Sequence, residues 1–93
     1  MAIDASVEEW RQALSILTPT ERGRFISLQL SLWNHYQNMF HQHEAGFLDE
    51  ELFAASKDTV SKHARLWVAI GFSQKGYSEF DHFVVAEASA VGA

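Results

Sequence analysis

The apolar positions of this chain recur three and four residues apart, which is the spacing of one face of an α-helix. Turn and capping residues divide the pattern into four segments. We therefore predict helices at about residues 7–17, 19–45, 49–70 and 79–89, with a glycine-containing loop at 72–77 before the last of them. The predicted class is all-α. We expect one domain, a small bundle of about four helices built on a long antiparallel hairpin.

Local capping signals mark where the first two helices begin. Thr18 precedes Pro19 and lies three residues before Glu21, so a capping box coincides with a proline at the first helical position. Ser6 and Glu9 form a second capping box. These signals are specific because several independent preferences agree within four residues.

The second and third helices are predicted to form the hairpin. Gly46 can adopt the left-handed conformation that ends a helix, and Asp49 can cap the next one. We expect Phe47 to fold back onto the last turn. At 1.5 Å per residue the second helix is about 40 Å long, whereas a globule of this size is about 30 Å across. The helix therefore has to bend, break or project.

Two places inside these helices leave alternatives open. Gly23 either weakens the first turn of the second helix or marks a close helix–helix contact. The run 56–61 is poor in strong helix formers, so the third helix either continues or breaks near residues 61–62. The last residues, 89–93, are expected to fray.

The second helix carries more apolar surface than one neighbour can cover. One stripe contains Phe25, Leu28, Leu32, Tyr36, Met39 and His43. The neighbouring stripe contains Ile26, Leu30, Trp33 and Phe40. Because the stripes span more than half of the circumference over the first three turns, we expect packing on two sides. The expected anchors of the core or of an interface are Trp33, Tyr36, Phe40, Phe47 and Trp67.

Composition and charge exclude several classes of function and partner. Ninety-three residues without cysteine make one small domain with no disulfide scaffold. Seven Lys and Arg against twelve Asp and Glu give a formal charge of −5, and the basic residues are scattered, which argues against a nucleic-acid partner. No apolar run approaches the roughly 20 residues of a membrane span, and no signal peptide is visible. We expect a cytoplasmic location, or one at the inner membrane if a tether exists elsewhere.

No motif indicates catalysis. The serines lack a nucleophile elbow, and the glycines form no phosphate-binding loop. The acidic run Asp49, Glu50 and Glu51 is interpreted as charge at the positive end of the third helix. We therefore expect neither an enzyme nor a cofactor.

Histidines near the hairpin turn provide weak candidates for metal ligands. The set is His35, His41, His43 and Glu44, of which only His41 and Glu44 have a shared-face spacing of three. A zinc or di-iron site needs three or four converging ligands, so no metal is predicted. A metal- or small-ligand-binding bundle stays open as an alternative function.

Antiparallel pairing of the hairpin sets the expected neighbours of two histidines. If the helices pair around the predicted turn, His43 faces Glu51. His35 then approaches Asp58 or Thr59 on the third helix. Hydrogen bonding near the turn is thus the alternative to metal binding for these side chains.

The chain resembles an uncharacterised family of small bacterial helical proteins. An L-[ST]-P-x-E-x-x-R-F opening is matched by Leu17, Thr18, Pro19, Glu21, Arg24 and Phe25. A G-L-L-D-E-E turn is matched by Gly46, Leu48, Asp49, Glu50 and Glu51. The stretch 77–84 is similar to the family's F-S-P-E-F-x-x-F-V ending, so the resemblance covers about 8–86.

This resemblance implies the helical fold and leaves the function open. Family members often carry an N-terminal membrane helix, which is absent here, and their tryptophan-rich third helix is reduced to Trp67. A soluble portion of a membrane-associated sensor or accessory protein is therefore a further alternative. The main hypothesis is a protein–protein interaction domain that forms a homodimer, because surplus apolar surface usually marks a contact.

Overall fold

The computed structural model describes residues 5–72 and 78–90, and within them it contains four α-helices and no strand. The helices are α1 (Val7–Ser15), α2 (Pro19–Glu44), α3 (Glu50–Ile70) and α4 (Glu79–Ala90). The predicted all-α class is confirmed. Beyond residue 72, the predicted 72–77 loop lies outside the described residues, as does the predicted frayed end beyond residue 90.

The helices begin where the capping signals predict. The hydroxyl of Thr18 accepts from the Glu21 amide at 3.2 Å, and the Glu21 carboxylate accepts from the Thr18 amide at 2.9 Å. Ser6 and Glu9 exchange the same two bonds, both at 3.1 Å. Ser78 caps α4 by accepting from the amide of residue 81 at 3.2 Å. Each bond satisfies a backbone group that would otherwise lack a partner.

The turn between α2 and α3 has the predicted left-handed glycine. Gly46 has a φ of 83° and donates to the carbonyl of His43 at 3.0 Å, while Phe47 donates to the carbonyl of Gln42 at 2.9 Å. These two bonds define a Schellman motif. The expectation that Phe47 folds back is wrong, because its side chain is 84% exposed. Leu48 packs against the core instead.

α3 is continuous, so the break considered near residues 61–62 does not occur. The hydroxyls of Ser56 and Thr59 donate to carbonyls four residues earlier, at 2.8 and 3.3 Å, and so follow the helical turn. Val60, which follows Thr59, is fully buried in the core. Tertiary burial thus outweighs the poor local propensity of this run. Gly71, at a φ of 100°, ends the helix.

α3 is the central helix, because α1, α2 and α4 each pack against it. α2 and α3 run antiparallel. The end of α2 contacts the start of α3 through His43 and Phe53, and an early position of α2 contacts the end of α3 through Gln29 and Trp67. α4 lies mainly on α3 and touches α2. The core consists of Trp33, Phe40, Phe53, Val60, Ala64, Leu66, Trp67, Phe80 and Val84.

The length of α2 is accommodated by an elongated molecule. Its principal dimensions are 42 × 28 × 23 Å, and the first of these matches the roughly 39 Å of a 26-residue helix. α2 therefore lies along the body without a break. The predicted packing on two sides fails in its first half, where Leu28 and Leu30 are exposed. A Cβ on Gly23 would meet nothing within 4 Å, so this glycine marks no close contact.

Candidate interaction surface

Three of the five predicted aromatic anchors lie in the core of the single chain. Trp33, Phe40 and Trp67 are buried, and the rings of Trp33 and Trp67 meet edge to face with centroids 5.5 Å apart. Phe80 of α4 packs against Trp33 at 4.6 Å and against Phe40 at 4.9 Å. These rings hold α2, α3 and α4 together, so they provide no outer surface.

The other two anchors differ from these three and from each other. Tyr36 is half-buried and lies against Trp67, with ring centroids 6.4 Å apart. Phe47 stands at the α2–α3 turn with 84% of its surface exposed. Of the five predicted anchors, Phe47 is therefore the one that is fully available to another molecule.

His43 is engaged by its neighbours in the hairpin. Its Nε2 lies 3.0 Å from the Glu50 carboxylate, and its ring stacks on Phe53 with centroids 3.5 Å apart. The predicted pairing with Glu51 is therefore wrong by one residue. Glu51 lies in the first turn of α3, where its backbone amide donates to the side chain of the N-cap residue Asp49 at 2.8 Å.

The remaining candidate ligands do not converge. His35 meets Tyr36 edge-on and lines the same groove as Thr59, as the antiparallel pairing predicts. His41 and Glu44 stand near the end of α2. Among the described residues, no group of three His, Asp or Glu side chains is placed to hold a metal ion.

A carboxyl pair joins the end of α2 to the start of α4. A hydrogen bond with Glu79 raises the pKa of Glu44 above its usual 4.5, and desolvation and the charge of Glu79 act in the same direction. The nearby His41 and His43 oppose this rise. The two carboxyl groups are thus placed to share one proton. The sequence does not reveal the pair, since its members are far apart along the chain.

Several large apolar side chains remain on the surface although the core is filled. Those with the largest exposed fractions are Phe47 at 84%, Ile16 at 83%, Leu28 at 60% and Leu52 at 50%. Leu30 and Val85 are exposed to a smaller extent. Helical periodicity predicts burial for Leu28, Leu30 and Leu52, but their helices have no neighbour on those sides.

Hollows also open on the surface, and one of them is lined in part by the exposed Leu52. A groove of about 180 Å³ between α2 and α3 is lined by His35, Tyr36, Met39, Leu52, Ala55, Ser56 and Thr59. A hollow of about 210 Å³ where α1 meets α2, called here the α1–α2 hollow, is lined by Trp10, Ala13, Leu14, Leu17 and Phe25. The second hollow is wholly apolar in its side chains. Its two aromatic rings lie nearly parallel, with centroids 6.4 Å apart.

Charge is distributed unevenly between the two ends of α2. The turn that carries Phe47 is surrounded by acidic residues, namely Glu44, Asp49, Glu50 and Glu51. Near the α1–α2 hollow, Arg22 donates to the carbonyls of Leu14 and Leu17 at 3.0 and 3.1 Å. Arg24 is exposed and makes no ion pair with another described residue.

The acidic residues at the hollow end make hydrogen bonds or an ion pair within their own helices and caps. Glu9 and Glu21 belong to the capping boxes, and hydrogen bonds from Ser6 and Thr18 lower the pKa of each carboxyl. Glu8 lies 4.0 Å from Arg11. The end of the molecule that holds the hollow therefore carries exposed charges of both signs, with Glu8, Glu9 and Glu21 negative and Arg11 and Arg24 positive.

Within the described part of the chain, no helix is both long enough and apolar enough to cross a membrane. Neither a family model nor a curated protein nor a solved structure matches this sequence. The resemblance over about residues 8–86 therefore stays a prediction.

Proposed function

We propose that this protein is a helical protein–protein interaction domain that associates with itself as a homodimer. The observation that supports it is the set of large apolar side chains left outside a filled core, above all Phe47 at 84% and Ile16 at 83% exposure. Exposed apolar surface of this kind commonly marks a contact site when it lies beside hollows that an apolar side chain can enter. A symmetric dimer is the commonest way to cover such a surface.

The alternatives have less support. A metal-binding bundle using His35, His41, His43 and Glu44 lacks a third converging ligand among the described residues, and His43 is already bonded to Glu50. A role as part of a membrane-associated sensor rests on the resemblance alone.

Sedimentation equilibrium over a wide range of protein concentration tests the proposal. We expect the weight-average mass to rise from that of the 10.5 kDa chain to twice that value. A mass that stays at the monomer value up to the highest concentration would contradict self-association. Elemental analysis of the same sample tests the metal alternative, since bound zinc or iron would favour it.

A further inference from the structure

We infer that α1 opens as a unit while α2, α3 and α4 stay folded, and that Arg22 of α2 is the residue that holds α1 in place. The inference goes beyond the proposed self-association and does not depend on it. In the closed form, Trp10 of α1 stacks on Phe25 of α2 with ring centroids 6.4 Å apart. Opening separates these two rings and uncovers apolar surface at the start of α2.

α1 contributes little to the core. Among the described residues, Leu14 is the one buried side chain of α1, and it lies outside the core that joins the other three helices. Trp10 packs against that core as a half-buried neighbour. α4 is also short, but its Phe80 and Val84 are fully buried within the core. The core therefore stays intact when α1 leaves, so opening of α1 costs less free energy than global unfolding.

The contact between α1 and α2 is incompletely filled. The α1–α2 hollow, with a volume of about 210 Å³, lies among the side chains through which the two helices meet. A side chain beside unfilled space lacks contacting atoms on that side and gains less dispersion energy. The rest of the packing of α1 is on α3. Since a helix of nine residues is marginal in water by itself, α1 needs a further attachment to stay formed.

Arg22 provides that attachment at the end of α1. Its Nε donates to the carbonyl of Leu14 at 3.0 Å, and its Nη2 donates to the carbonyls of Ser15 and Leu17 at 3.4 and 3.1 Å. The last turn of α1 has no basic residue of its own. Arg22 therefore supplies the positive charge that stabilises the carbonyl end of a helix. Hydrogen bonds from a charged donor are stronger than neutral ones, and these bonds are lost when α1 opens.

Hydrogen exchange of the full chain, followed by NMR under native conditions with added urea, tests the inference. We expect the amides of α1, such as that of Trp10, to share one free energy of opening, which falls with urea and lies below that of the Val60 amide in α3. A shared value that depends on urea indicates that a whole unit opens. Because the readout is exchange and not mass, this test is independent of the test for self-association.

Two arginine variants test the role of Arg22. Arg22→Met should raise the exchange rates of the α1 amides about tenfold or more, because it removes hydrogen bonds from a charged donor. Arg24→Met is the matched control, since it removes an exposed guanidinium two residues later, and it should leave these rates unchanged. If Arg22→Met does not fold, Arg22→Lys keeps the charge but loses the forked donor, and it should raise the same rates to a smaller extent.

A core variant tests whether α1 opens separately. Phe40 is buried near the α2–α3 turn, where it packs against Phe53 and Phe80. Phe40→Leu weakens these contacts, which remain formed when α1 opens. The variant should therefore speed exchange at Val60 and leave the α1 amides unchanged.

Three outcomes would contradict the inference. If the α1 amides and Val60 have the same free energy of opening and Phe40→Leu lowers both, α1 unfolds only with the whole domain. If exchange rates increase gradually toward one end of α1 and do not depend on urea, the helix frays and does not open as a unit. Equal effects of Arg22→Met and Arg24→Met would show that Arg22 does not hold α1 in place.

Discussion

The indole N–H of Trp67 in α3 donates a 3.0 Å hydrogen bond to the side-chain oxygen of Gln29 in α2, and both side chains are buried. The bond joins residues 38 positions apart at the open end of the hairpin. A buried indole N–H without a partner is costly, so the amide makes burial of the largest core side chain possible. It also sets the register of α2 against α3.

Replacing Gln29 by leucine should therefore lower the free energy of unfolding by about 1–3 kcal/mol, because the buried indole donor loses its acceptor. Urea unfolding followed by circular dichroism measures the change. Gln42→Leu, at an exposed position of the same helix, is the matched control and should lie within about 0.5 kcal/mol of the wild type. Equal stability of the two variants would show that water or another group replaces the amide.

Trp33→Ala should lower the free energy of unfolding by about 3–5 kcal/mol, since it leaves a cavity among Trp67, Phe72 and Phe80. Trp10→Ala is the comparison, and its effect should be smaller because Trp10 is half-buried at the edge of a hollow. If Trp33→Ala does not fold, Trp33→Phe provides a milder change for the same urea measurement. A thermal midpoint unchanged in both Trp33 variants would refute its role as a core anchor.

Gly23 in α2 and Gly46 in the turn after it should respond oppositely to alanine. Gly46→Ala should destabilise the protein by about 1 kcal/mol or more, because a φ of 83° is strained for any residue with a Cβ. Gly23→Ala should stabilise it by up to about 1 kcal/mol, because the added Cβ meets nothing within 4 Å and alanine favours the helix. Thermal unfolding of both variants tests the pair, and shifts of the same sign would contradict it.

Glu44→Gln should stabilise the protein at neutral pH. The hydrogen bond and the charge of Glu79 raise the folded-state pKa of Glu44 above its usual 4.5. The stability from the shared proton is therefore fully present below pH 4.5 and is lost as the pH rises through the raised value. Glutamine removes the repulsion between the carboxylates of Glu44 and Glu79. The difference in thermal midpoint between variant and wild type should therefore grow as the pH rises from 4.5 through the raised pKa of Glu44.

Glu79→Gln tests whether the effect belongs to the pair. It should reproduce the pH dependence of Glu44→Gln, and the double variant should add little to either single one. The pKa values of Glu9 and Glu21 in the capping boxes lie below 4.5. These two carboxylates therefore stabilise the folded state above pH 4.5, and that contribution is lost as the pH falls through their lowered pKa values. Thermal midpoints of wild type and Glu44→Gln that run parallel from pH 4.5 upward would show that no proton is shared.

Helix boundaries are the part of the fold that the sequence predicts best. Thr18, Pro19 and Glu21 act through bonds within four residues, so their effect does not depend on the rest of the chain. The same holds for Gly46, whose left-handed conformation ends α2 as expected. The antiparallel hairpin follows from these short-range signals, because a short turn leaves two long helices side by side.

Burial is the part that periodicity predicts least well. Leu28 has the spacing of a core residue and is 60% exposed, whereas the polar Gln29 beside it is buried at 6%. The reason is that the partner of Gln29 is the indole of Trp67, and no local pattern indicates a bond over 38 residues. The carboxyl pair of Glu44 and Glu79 escapes prediction for the same reason.

The sequence predicts the candidate surface only in part. It indicates Phe47 as a core or interface anchor that folds back onto α2, whereas in the structure Phe47 is exposed and Leu48 packs against the core. The α1–α2 hollow depends on the angle between α1 and the start of α2. Since α1 packs on α3, that angle is set by contacts distant in sequence.

The four helices, their caps and the hairpin follow from local signals, because the hydrogen bonds that begin and end a helix join residues close along the chain. Long-range packing places Trp33 and Trp67 inside and leaves Phe47 and Leu28 outside. These aromatic and aliphatic residues all gain from burial, and α3 at the centre has room for only some of them. Which side chains remain outside depends on where α1 and α4 settle on that helix.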